Sequence, residues 1–299
     1  MSAEIRVYEE NNLRVLVKRS GRKIDYLSMP INIAKPITKL STPLHLDVSM
    51  GNKCNGGCPY CYADAKKNGI FYENTTEKII KLCDVLGDKK PLQFAIGGEC
   101  EPTQHPDFID FLKTSSDLGV IPNYTTNAMS FTTTILDTTI KYCGSVGVST
   151  HKHLSKLWQK NLPILLEAGI NTRLHVIIGE ENSADYFADL YRKYYDKVDC
   201  ITILIMRNTG RGTTTDCLEQ EFLKTIDFLR INEFSKIAIT ELSQPLLNKY
   251  TDETEFLGLS KFTIGTYGGY VILDDTFLII RESSFEPNKI KNNLTIKEK

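Results

Sequence analysis

The sequence predicts an α/β protein built on a partial (β/α)6 TIM-like barrel, with a short N-terminal β element and a C-terminal β-hairpin extension. Between residues 44 and 242, short apolar segments alternate with longer segments of helical spacing. This alternation is typical of parallel strands joined by right-handed helical crossovers. Six or seven such units fall short of the eight that close a barrel, so a partial barrel is expected, with an open sheet as the alternative.

The elements follow in order along the chain. Residues 5–27 alternate apolar and polar positions around the turn signals NN and SGR, which predicts a β-hairpin or small meander, and a loop rich in Pro and Thr follows at 31–43. Core strands are predicted at 44–50, 92–98, 120–127, 145–150, 170–179, 200–207 and 236–242. Helices are predicted at 75–87, 106–119, 131–143, 153–169 (as one or two helices, interrupted by Pro163), 183–196 and 217–230.

The C-terminal part has a different pattern. Residues 260–284 predict β-hairpins around GG and DD, and the last residues, PNKIKNNLTIKEK, predict a frayed tail. We therefore expect three units: an N-terminal β element and linker at 1–43, the partial barrel at 44–242, and the β extension with its tail at 243–299.

Composition excludes some classes of protein. The net charge of the 299 residues is -1, so no global basic field favours nucleic acid, although a local basic patch would escape this test. No apolar run approaches the roughly 20 residues of a membrane span, and the N-terminus lacks the apolar core of a signal peptide. We expect a cytoplasmic protein, in which cysteines rarely form disulfides.

Three of the eight cysteines are clustered in CNGGCPYC, directly after the first predicted core strand. Such clustering in a reduced protein favours metal or redox chemistry. A structural zinc site needs four ligands, and the fourth would have to be His45 or a remote histidine (His105, His151, His153 or His175). Three thiolates on one loop instead suit three corners of a 4Fe–4S cluster whose fourth iron is open.

CNGGCPYC has the C-x-x-x-C-x-x-C spacing of the radical S-adenosylmethionine (radical SAM) superfamily, and Tyr60 stands before the third cysteine as that family prefers. The resemblance implies that Cys54, Cys58 and Cys61 bind one 4Fe–4S cluster and that S-adenosylmethionine is the second cofactor. It also implies the activity: reductive cleavage of S-adenosylmethionine to a 5′-deoxyadenosyl radical, which abstracts a hydrogen atom from a substrate.

The resemblance continues through residues 44–207 and implies further cofactor contacts at the strand ends. QFAIGGECEPTQHPDF resembles the family's glycine-rich stretch, which assigns the amino group of S-adenosylmethionine to Gly97, Gly98 and Glu99. An alternative register aligns Glu101 with the acid and leaves Cys100 where glycine is usual. Strands three to six add Thr126 and Asn127 (from NYTTNA, with Ala128 in place of a glycine), Ser149, Ile178, Gly179, Leu204 and Met206.

Each assignment has a simpler alternative. Gly97 and Gly98 could form a plain turn, and Thr126, Asn127 and Ser149 could cap helices. Some relatives use a cysteine thiol to return a hydrogen atom to the substrate radical, so Cys100 and Cys217 are the catalytic candidates; buried thiols without a role are the alternative. Arg173 and His175 share one face of a predicted strand and could contact a substrate or simply line the barrel.

The partners are expectations from the same resemblance. The electron donor would be a flavodoxin or ferredoxin, and the substrate a ribosomally made peptide, because hairpin extensions on this fold often accompany peptide substrates. A nucleotide or RNA base, or a glycyl-radical enzyme to be activated, are the alternatives. No cysteine follows Cys217, which predicts a single cluster. From a different class, the chain could be a non-catalytic iron–sulfur or zinc-binding module.

Overall fold

A computed structural model describes residues 4–10, 12–32, 34–35, 44–240, 243–251, 268–273, 278–282 and 294–296. Seven parallel strands lie side by side in chain order and form a curled half-barrel, which confirms the predicted fold class. These strands are β4 (His45–Ser49), β5 (Gln93–Ile96), β6 (Ile121–Thr126), β7 (Val146–Ser149), β8 (Thr172–Ile178), β9 (Cys200–Ile205) and β10 (Ile237–Ile239).

Helices join the successive strands. They are α1 (Thr75–Leu86), α2 (Phe108–Asp117), α3 (Thr133–Tyr142), α4 (Ser155–Glu167), α5 (Ser183–Tyr194), α6 (Leu218–Arg230) and a short α7 (Gln244–Tyr250) that the sequence pattern did not predict. The interruption expected at Pro163 is absent: α4 is one helix that contains it. Proline removes one hydrogen bond there, and burial of Trp158, Leu162 and Leu165 outweighs that loss.

The predicted N-terminal meander is a three-stranded antiparallel sheet of β1 (Glu4–Glu10), β2 (Leu13–Ser20) and β3 (Lys23–Pro30). At the C-terminus β11 (Gly268–Leu273) and β12 (Leu278–Glu282) pair antiparallel on either side of DD, as predicted, but the GG that was expected in a turn begins β11. The hairpin extends the main sheet, because β11 pairs in parallel with β4. β13 (Leu294–Ile296) pairs with β12, so the tail expected to fray includes a strand. Residues 260–267 lie outside the described residues.

The half-barrel sheet has an apolar face and a polar face. On β8, Leu174, Val176 and Ile178 are fully buried in the core that the helices cover, whereas Arg173, His175 and Ile177 are only half-buried. On the polar face, side chains of neighbouring strands are joined by hydrogen bonds. These link His45 with Gln93, Gln93 with Asn123, and Asn123 with Ser145. The sheet therefore presents a polar concave surface rather than a second apolar core.

The N-terminal sheet closes one end of the half-barrel, which we call the floor: the amino-terminal ends of β4–β10. Leu13, Val15, Val17 and Ile24 pack there against Leu44 and Ile121. An ion pair strengthens the contact, since Lys23 Nζ lies 2.5 Å from Asp199 Oδ1. Arg22 also donates hydrogen bonds to backbone carbonyls at the end of α3. The opposite end, at the carboxyl-terminal strand ends, is the mouth. Among the described residues, no helix is long and apolar enough to cross a membrane.

Candidate active site

The cysteine loop, residues 50–74, leaves β4 at the mouth and folds back on itself. Paired backbone hydrogen bonds hold it: Asn52 N–H to Ile70 O at 2.9 Å and Cys54 N–H to Lys66 O at 2.9 Å. Gly51 has φ 139°, and a Cβ there would lie 2.4 Å from the Ile70 carbonyl oxygen. Glycine is thus required for the loop to close, and the cysteines are carried on a fixed backbone.

Two of the three cysteine sulfurs lie next to Gly56. A Cβ at this glycine would stand 3.4 Å from Cys54 Sγ, 3.5 Å from Cys58 Sγ and 3.4 Å from the Asn127 amide nitrogen, so glycine keeps a side chain from the space beside these two thiols. Backbone N–H groups already point at the sulfurs, from Gly56 to Cys54 Sγ at 3.3 Å and from Ala65 to Cys61 Sγ at 3.4 Å. Such N–H···S hydrogen bonds help to set the reduction potential of iron–sulfur clusters. The residues present fit a cluster held by three thiolates.

The Cys54 and Cys58 thiols resist ionisation. Burial raises the pKa of Cys58 to about 12, with additional contributions from the neighbouring Cys54 and Cys61. Burial also raises the pKa of Cys54, although the Gly56 N–H opposes the shift. Because only thiolates bind iron, cluster assembly at this loop would release protons, and the bound iron would supply the positive charge that stabilises the thiolates.

A structural zinc site needs ligands that converge on one ion. Within the described part of the chain, no group of three or more His, Cys, Asp or Glu side chains converges in this way. A cluster needs no such convergence, since each thiolate binds its own iron. Of the histidines considered as a fourth zinc ligand, His45 bonds Asp47 and His105 bonds Tyr72 O, whereas His153 Nε2 lies 3.3 Å from Gly56 O on the cysteine loop.

The Gly97–Gly98 turn ends β5 beside the cysteine loop. Both glycines have positive φ, 135° and 82°, which explains why two stand together. A Cβ on Gly98 would lie 2.5 Å from the Tyr62 hydroxyl oxygen, and one on Gly97 would lie 3.1 Å from the Thr125 carbonyl oxygen. The turn is therefore more than a generic loop, because its backbone is closely packed between the cysteine loop and β6.

The two candidate acids have different surroundings. Glu101 is buried, and its carboxylate accepts from the Thr103 and Thr126 hydroxyls at 2.7 Å each and from Asn127 N–H at 2.8 Å. Burial raises its pKa, and these hydrogen bonds oppose the shift. Glu99 is half-buried, with a 2.5 Å hydrogen bond from the Ser49 hydroxyl. The geometry gives Glu101 a structural role and leaves Glu99 accessible to a ligand.

Asn127 connects β6 to the cysteine loop. Its side-chain amide donates to Asn55 Oδ1 at 2.9 Å and lies 3.9 Å from Cys54 Sγ, while its Oδ1 accepts from Met129 N–H. The Thr126 hydroxyl donates its hydrogen bond to the Glu101 carboxylate. Ala128, where the family has glycine, has φ 53°, so the glycine-like backbone is kept at the cost of strain. Neither Thr126 nor Asn127 caps a helix; Thr132 caps α3.

The remaining predicted contacts lie on the ends of β7, β8 and β9. Ser149 ends β7 half-buried, next to His175 of β8. Ile178 is fully buried with the helices, so only its backbone faces the mouth. Gly179 has φ 143°, and a Cβ there would lie 2.6 Å from Met206 Cβ, while Met206 N–H donates to Ile178 O at 2.8 Å. The β8 and β9 ends therefore meet with no intervening side chain.

Tyr60 forms an aromatic cluster with two histidines across the mouth. Its hydroxyl lies 3.2 Å from His151 Nδ1, and the His151 and His153 rings stack at 5.5 Å. Burial, with the nearby His153 and His175, lowers the pKa of His151 to about 4, which keeps it neutral. A small cleft opens beside this cluster, lined by Tyr60, Thr150, His151, Lys152, Ile177, Glu180, Ser183 and Tyr186.

The two candidate hydrogen donors differ in access. Cys100 is buried, and burial raises the pKa of its thiol. Cys217 is half-buried at the start of α6, where its Sγ lies 3.4 Å from the Gly179 carbonyl oxygen. Only Cys217 therefore has a partly open position at the mouth. All eight cysteines are free thiols.

The sequence pattern did not predict that Arg211 forms hydrogen bonds with the cysteine loop. Arg211, in the loop after β9, donates to Cys58 O at 3.0 Å, to Asp64 Oδ1 at 2.7 Å and to Ala65 O at 2.9 Å. Gly210, just before it, approaches so closely that a Cβ would lie 2.5 Å from Cys61 O. The signal was present in TGRG, where glycines flank a single arginine, but the contact partners are remote in sequence.

Comparison with curated proteins yields two partial matches. The chain is 34% identical over 85 residues to 7,8-dihydro-6-hydroxymethylpterin dimethyltransferase of Methanocaldococcus jannaschii, covering 27% of this chain and 16% of that protein. It is 30% identical over 90 residues to PqqA peptide cyclase of Bradyrhizobium diazoefficiens, covering 30% and 23%. The chain thus spans less than a quarter of either curated relative.

Similar solved structures share the fold over most of this chain. Streptococcus suis SuiB bound to S-adenosylmethionine has a TM-score of 0.65 at 15% identity, covering 86% of this chain and 64% of SuiB. SuiB bound to its precursor peptide SuiA has a TM-score of 0.59 at 17% identity, covering 80% and 60%. Native anSMEcpe with S-adenosylmethionine and the Cp18Cys peptide has a TM-score of 0.56 at 16% identity, covering 82% and 75%.

The family model described as the Radical SAM superfamily matches residues 48–209, which begin in β4 before the cysteine loop and end after β9. That segment contains the cysteines, the Gly97–Gly98 turn and the ends of β6–β9. The match spans more than half of the chain, and the chain is an enzyme that belongs to the radical SAM superfamily.

Proposed function

We propose that this enzyme holds a 4Fe–4S cluster on Cys54, Cys58 and Cys61, binds S-adenosylmethionine at the mouth of the half-barrel, and acts on a peptide. The observation that carries the proposal is the cysteine loop, which brings the Cys54 and Cys58 sulfurs to either side of Gly56 and contacts the Gly97–Gly98 turn through Tyr62. When bound, the cluster supplies the electron that cleaves S-adenosylmethionine, and the 5′-deoxyadenosyl radical takes a hydrogen atom from the substrate.

The protein's part is orientation and exclusion of water. Backbone groups of Gly97 and Gly98, with the half-buried Glu99, would take the amino group of S-adenosylmethionine. Asn127 and Ser149 would orient its carboxylate and ribose. Tyr60 and the backbone at Ile178, Gly179 and Met206 would flank the adenine. Each of these residues lies at a carboxyl-terminal strand end or on the cysteine loop, the side where parallel half-barrels bind ligands.

A peptide substrate is supported by the relatives. SuiB binds the precursor peptide SuiA, anSMEcpe binds a peptide, and one curated relative is named a peptide cyclase. The polar concave face offers hydrogen-bonding groups below the mouth, including His175 and Thr202 on adjacent strands. The electron would come from a flavodoxin or ferredoxin. Cys217 would be the hydrogen donor if the reaction returns an atom to the substrate.

A small heterocycle is the second candidate substrate. The pterin dimethyltransferase has the higher identity of the two curated relatives, and its match falls within the same family. A polar concave face suits a heterocycle with several hydrogen-bonding atoms as well as it suits a peptide backbone. The two candidates predict different isotope results.

The test uses deuterium transfer. The reconstituted enzyme would be incubated with S-adenosylmethionine and a perdeuterated peptide encoded beside its gene, and the 5′-deoxyadenosine would be analysed by mass spectrometry. We expect deuterium in 5′-deoxyadenosine only with the peptide. Cleavage of S-adenosylmethionine without deuterium transfer from the peptide, but with transfer from a deuterated pterin, would contradict the peptide proposal and support the heterocycle. A Cys54→Ala variant provides the control without cleavage.

A further inference from the structure

Arg211 ties together both ends of the segment that carries Cys58 and Cys61. Its Nε donates to Cys58 O at 3.0 Å, and one terminal nitrogen donates to both Asp64 Oδ1 and Ala65 O. Its own backbone N–H donates to Cys61 O at 2.9 Å. One residue therefore makes four hydrogen bonds within residues 58–65, from a loop that is about half the chain away in sequence.

The backbone around Arg211 is shaped for this contact. Gly210 has φ 61°, and a Cβ on it would lie 2.4 Å from Tyr62 O and 2.5 Å from Cys61 O. A Cβ on Gly212 would lie 2.4 Å from Arg207 O and 3.3 Å from Tyr60 O. Residues 210–212 thus pack closely against the backbone carbonyls of residues 60–62, around the third cysteine, which is a second observation independent of the arginine side chain.

We propose that Arg211 is the positioning residue of the cysteine loop, and that its guanidinium raises the reduction potential of the cluster that the loop holds. The inference rests on the proposed cluster site. Positioning follows from the four hydrogen bonds, which fix the backbone that orients Cys58 and Cys61. The effect on potential follows from charge, because reduction adds an electron to the cluster and a nearby cation stabilises the reduced form.

Asp64 orients the arginine. Its carboxylate accepts from Arg211 at 2.7 Å and lies 3.2 Å from Lys66 Nζ, and the Arg211 hydrogen bond holds the pKa of Asp64 below its usual value. The carboxylate is ionised at neutral pH and keeps the guanidinium fork turned toward the cysteine loop. Lysine at position 211 would keep the charge but lacks the fork that reaches several oxygens at once.

The experiment compares Arg211→Met and Arg211→Lys with Arg22→Met. Arg22 is a matched control, since it also donates to backbone carbonyls, those of Cys143 and Lys141 among them, but at the floor. Hydrogen–deuterium exchange of residues 54–66 would be measured on the metal-free chains. Iron release to a chelator and the midpoint potential, followed by electron paramagnetic resonance, would be measured on reconstituted chains.

We expect Arg211→Met to increase amide exchange in residues 54–66, to release iron about tenfold faster or more, and to move the midpoint potential to a more negative value. Arg211→Lys should release iron faster but keep a potential near that of the wild type. Arg22→Met should change none of these quantities.

Two results would overturn the inference: wild-type exchange and potential in Arg211→Met, or equal changes in Arg22→Met. If the wild-type chain takes up no iron, the proposed function fails, and the positioning claim is decided by the exchange measurement alone.

Discussion

The floor and the mouth of the half-barrel differ in how their polar groups are used. At the floor, charges pair within the chain, as in Lys23 with Asp199, and apolar side chains from the N-terminal sheet fill the space. At the mouth, glycines with positive φ bring backbone groups close together, and Glu99 and Cys217 remain partly open. From this difference we expect the floor to serve stability and the mouth to serve binding, which is the usual division in barrels.

The largest expected effect separates the two ends directly. Leu13 is fully buried where the N-terminal sheet packs on the floor. We expect Leu13→Ala to lower the free energy of unfolding by about 2–5 kcal/mol, because it leaves a cavity. The folded variant should bind S-adenosylmethionine as the wild type does. Urea denaturation and calorimetric titration would measure both quantities, with Ile5→Ala, at an exposed position, as the control.

The second largest expected effect distinguishes the roles of the two acidic residues at the mouth, Glu99 and Glu101. Glu101→Gln places an amide N–H₂ group against donors that now point at a carboxylate, so we expect the free energy of unfolding to fall by about 1–3 kcal/mol. Glu99→Gln should leave stability unchanged and weaken S-adenosylmethionine binding. The opposite pattern, a stable Glu101→Gln with weak binding, would assign the cofactor-site acid to Glu101.

The concave face between floor and mouth gives a pH test. Burial, with the charge of Arg173, lowers the pKa of His175 to about 4, and a Cβ on Gly147 would lie 2.8 Å from its ring. In the unfolded chain His175 is protonated below about pH 6.5, whereas in the folded chain it is protonated only below about pH 4. His175 therefore lowers the free energy of unfolding as the pH falls from about 6.5 to about 4.

We expect His175→Gln to lose less stability than the wild type between pH 7.5 and 5, by up to about 2 kcal/mol. Urea denaturation at both pH values measures the difference. Equal losses in the two chains would show that His175 is protonated as readily in the folded chain as in the unfolded one.

The smallest expected effect separates the role of close packing at the mouth from that of backbone strain. Gly98 and Gly119 have nearly the same φ, 82° and 80°, but only Gly98 has a neighbour in the way of a Cβ. Alanine at either position should cost about 1–2 kcal/mol of stability from backbone strain. Gly98→Ala should also displace Tyr62 and raise the Kd for S-adenosylmethionine about tenfold or more. A tenfold rise in Gly119→Ala as well would point to strain alone.

Local patterns predicted most of the fold. Most core strands are short, largely apolar segments followed by a glycine or polar residue, as in QFAIGG, and each strand was expected within a few residues of its position. The pattern did not predict α7, which has only seven residues, or the parallel pairing of β11 with β4, which joins segments more than 200 residues apart. Pairing at that separation leaves no periodicity in a single sequence.

The candidate site was predictable where chemistry is local. The cysteine spacing, the paired glycines and TTNA each lie within a few residues, and the glycine-like φ of 53° at Ala128 follows from the same motif. Arg211 was not identified as functional, because its partners lie about 150 residues away. Glu99 and Glu101 could not be separated, since only the folded chain shows which carboxylate Thr126 and Asn127 occupy.

The most direct test of the account is anaerobic reconstitution with iron and sulfide, followed by reduction with dithionite and addition of S-adenosylmethionine. Iron content and 5′-deoxyadenosine would be measured for the wild type, Cys58→Ala, and Cys83→Ala, which removes a buried thiol of α1, outside the cysteine loop. The account predicts 5′-deoxyadenosine from the wild type and Cys83→Ala, and none from Cys58→Ala. Equal product from Cys58→Ala, or a wild-type chain that binds zinc and forms no product, would contradict it.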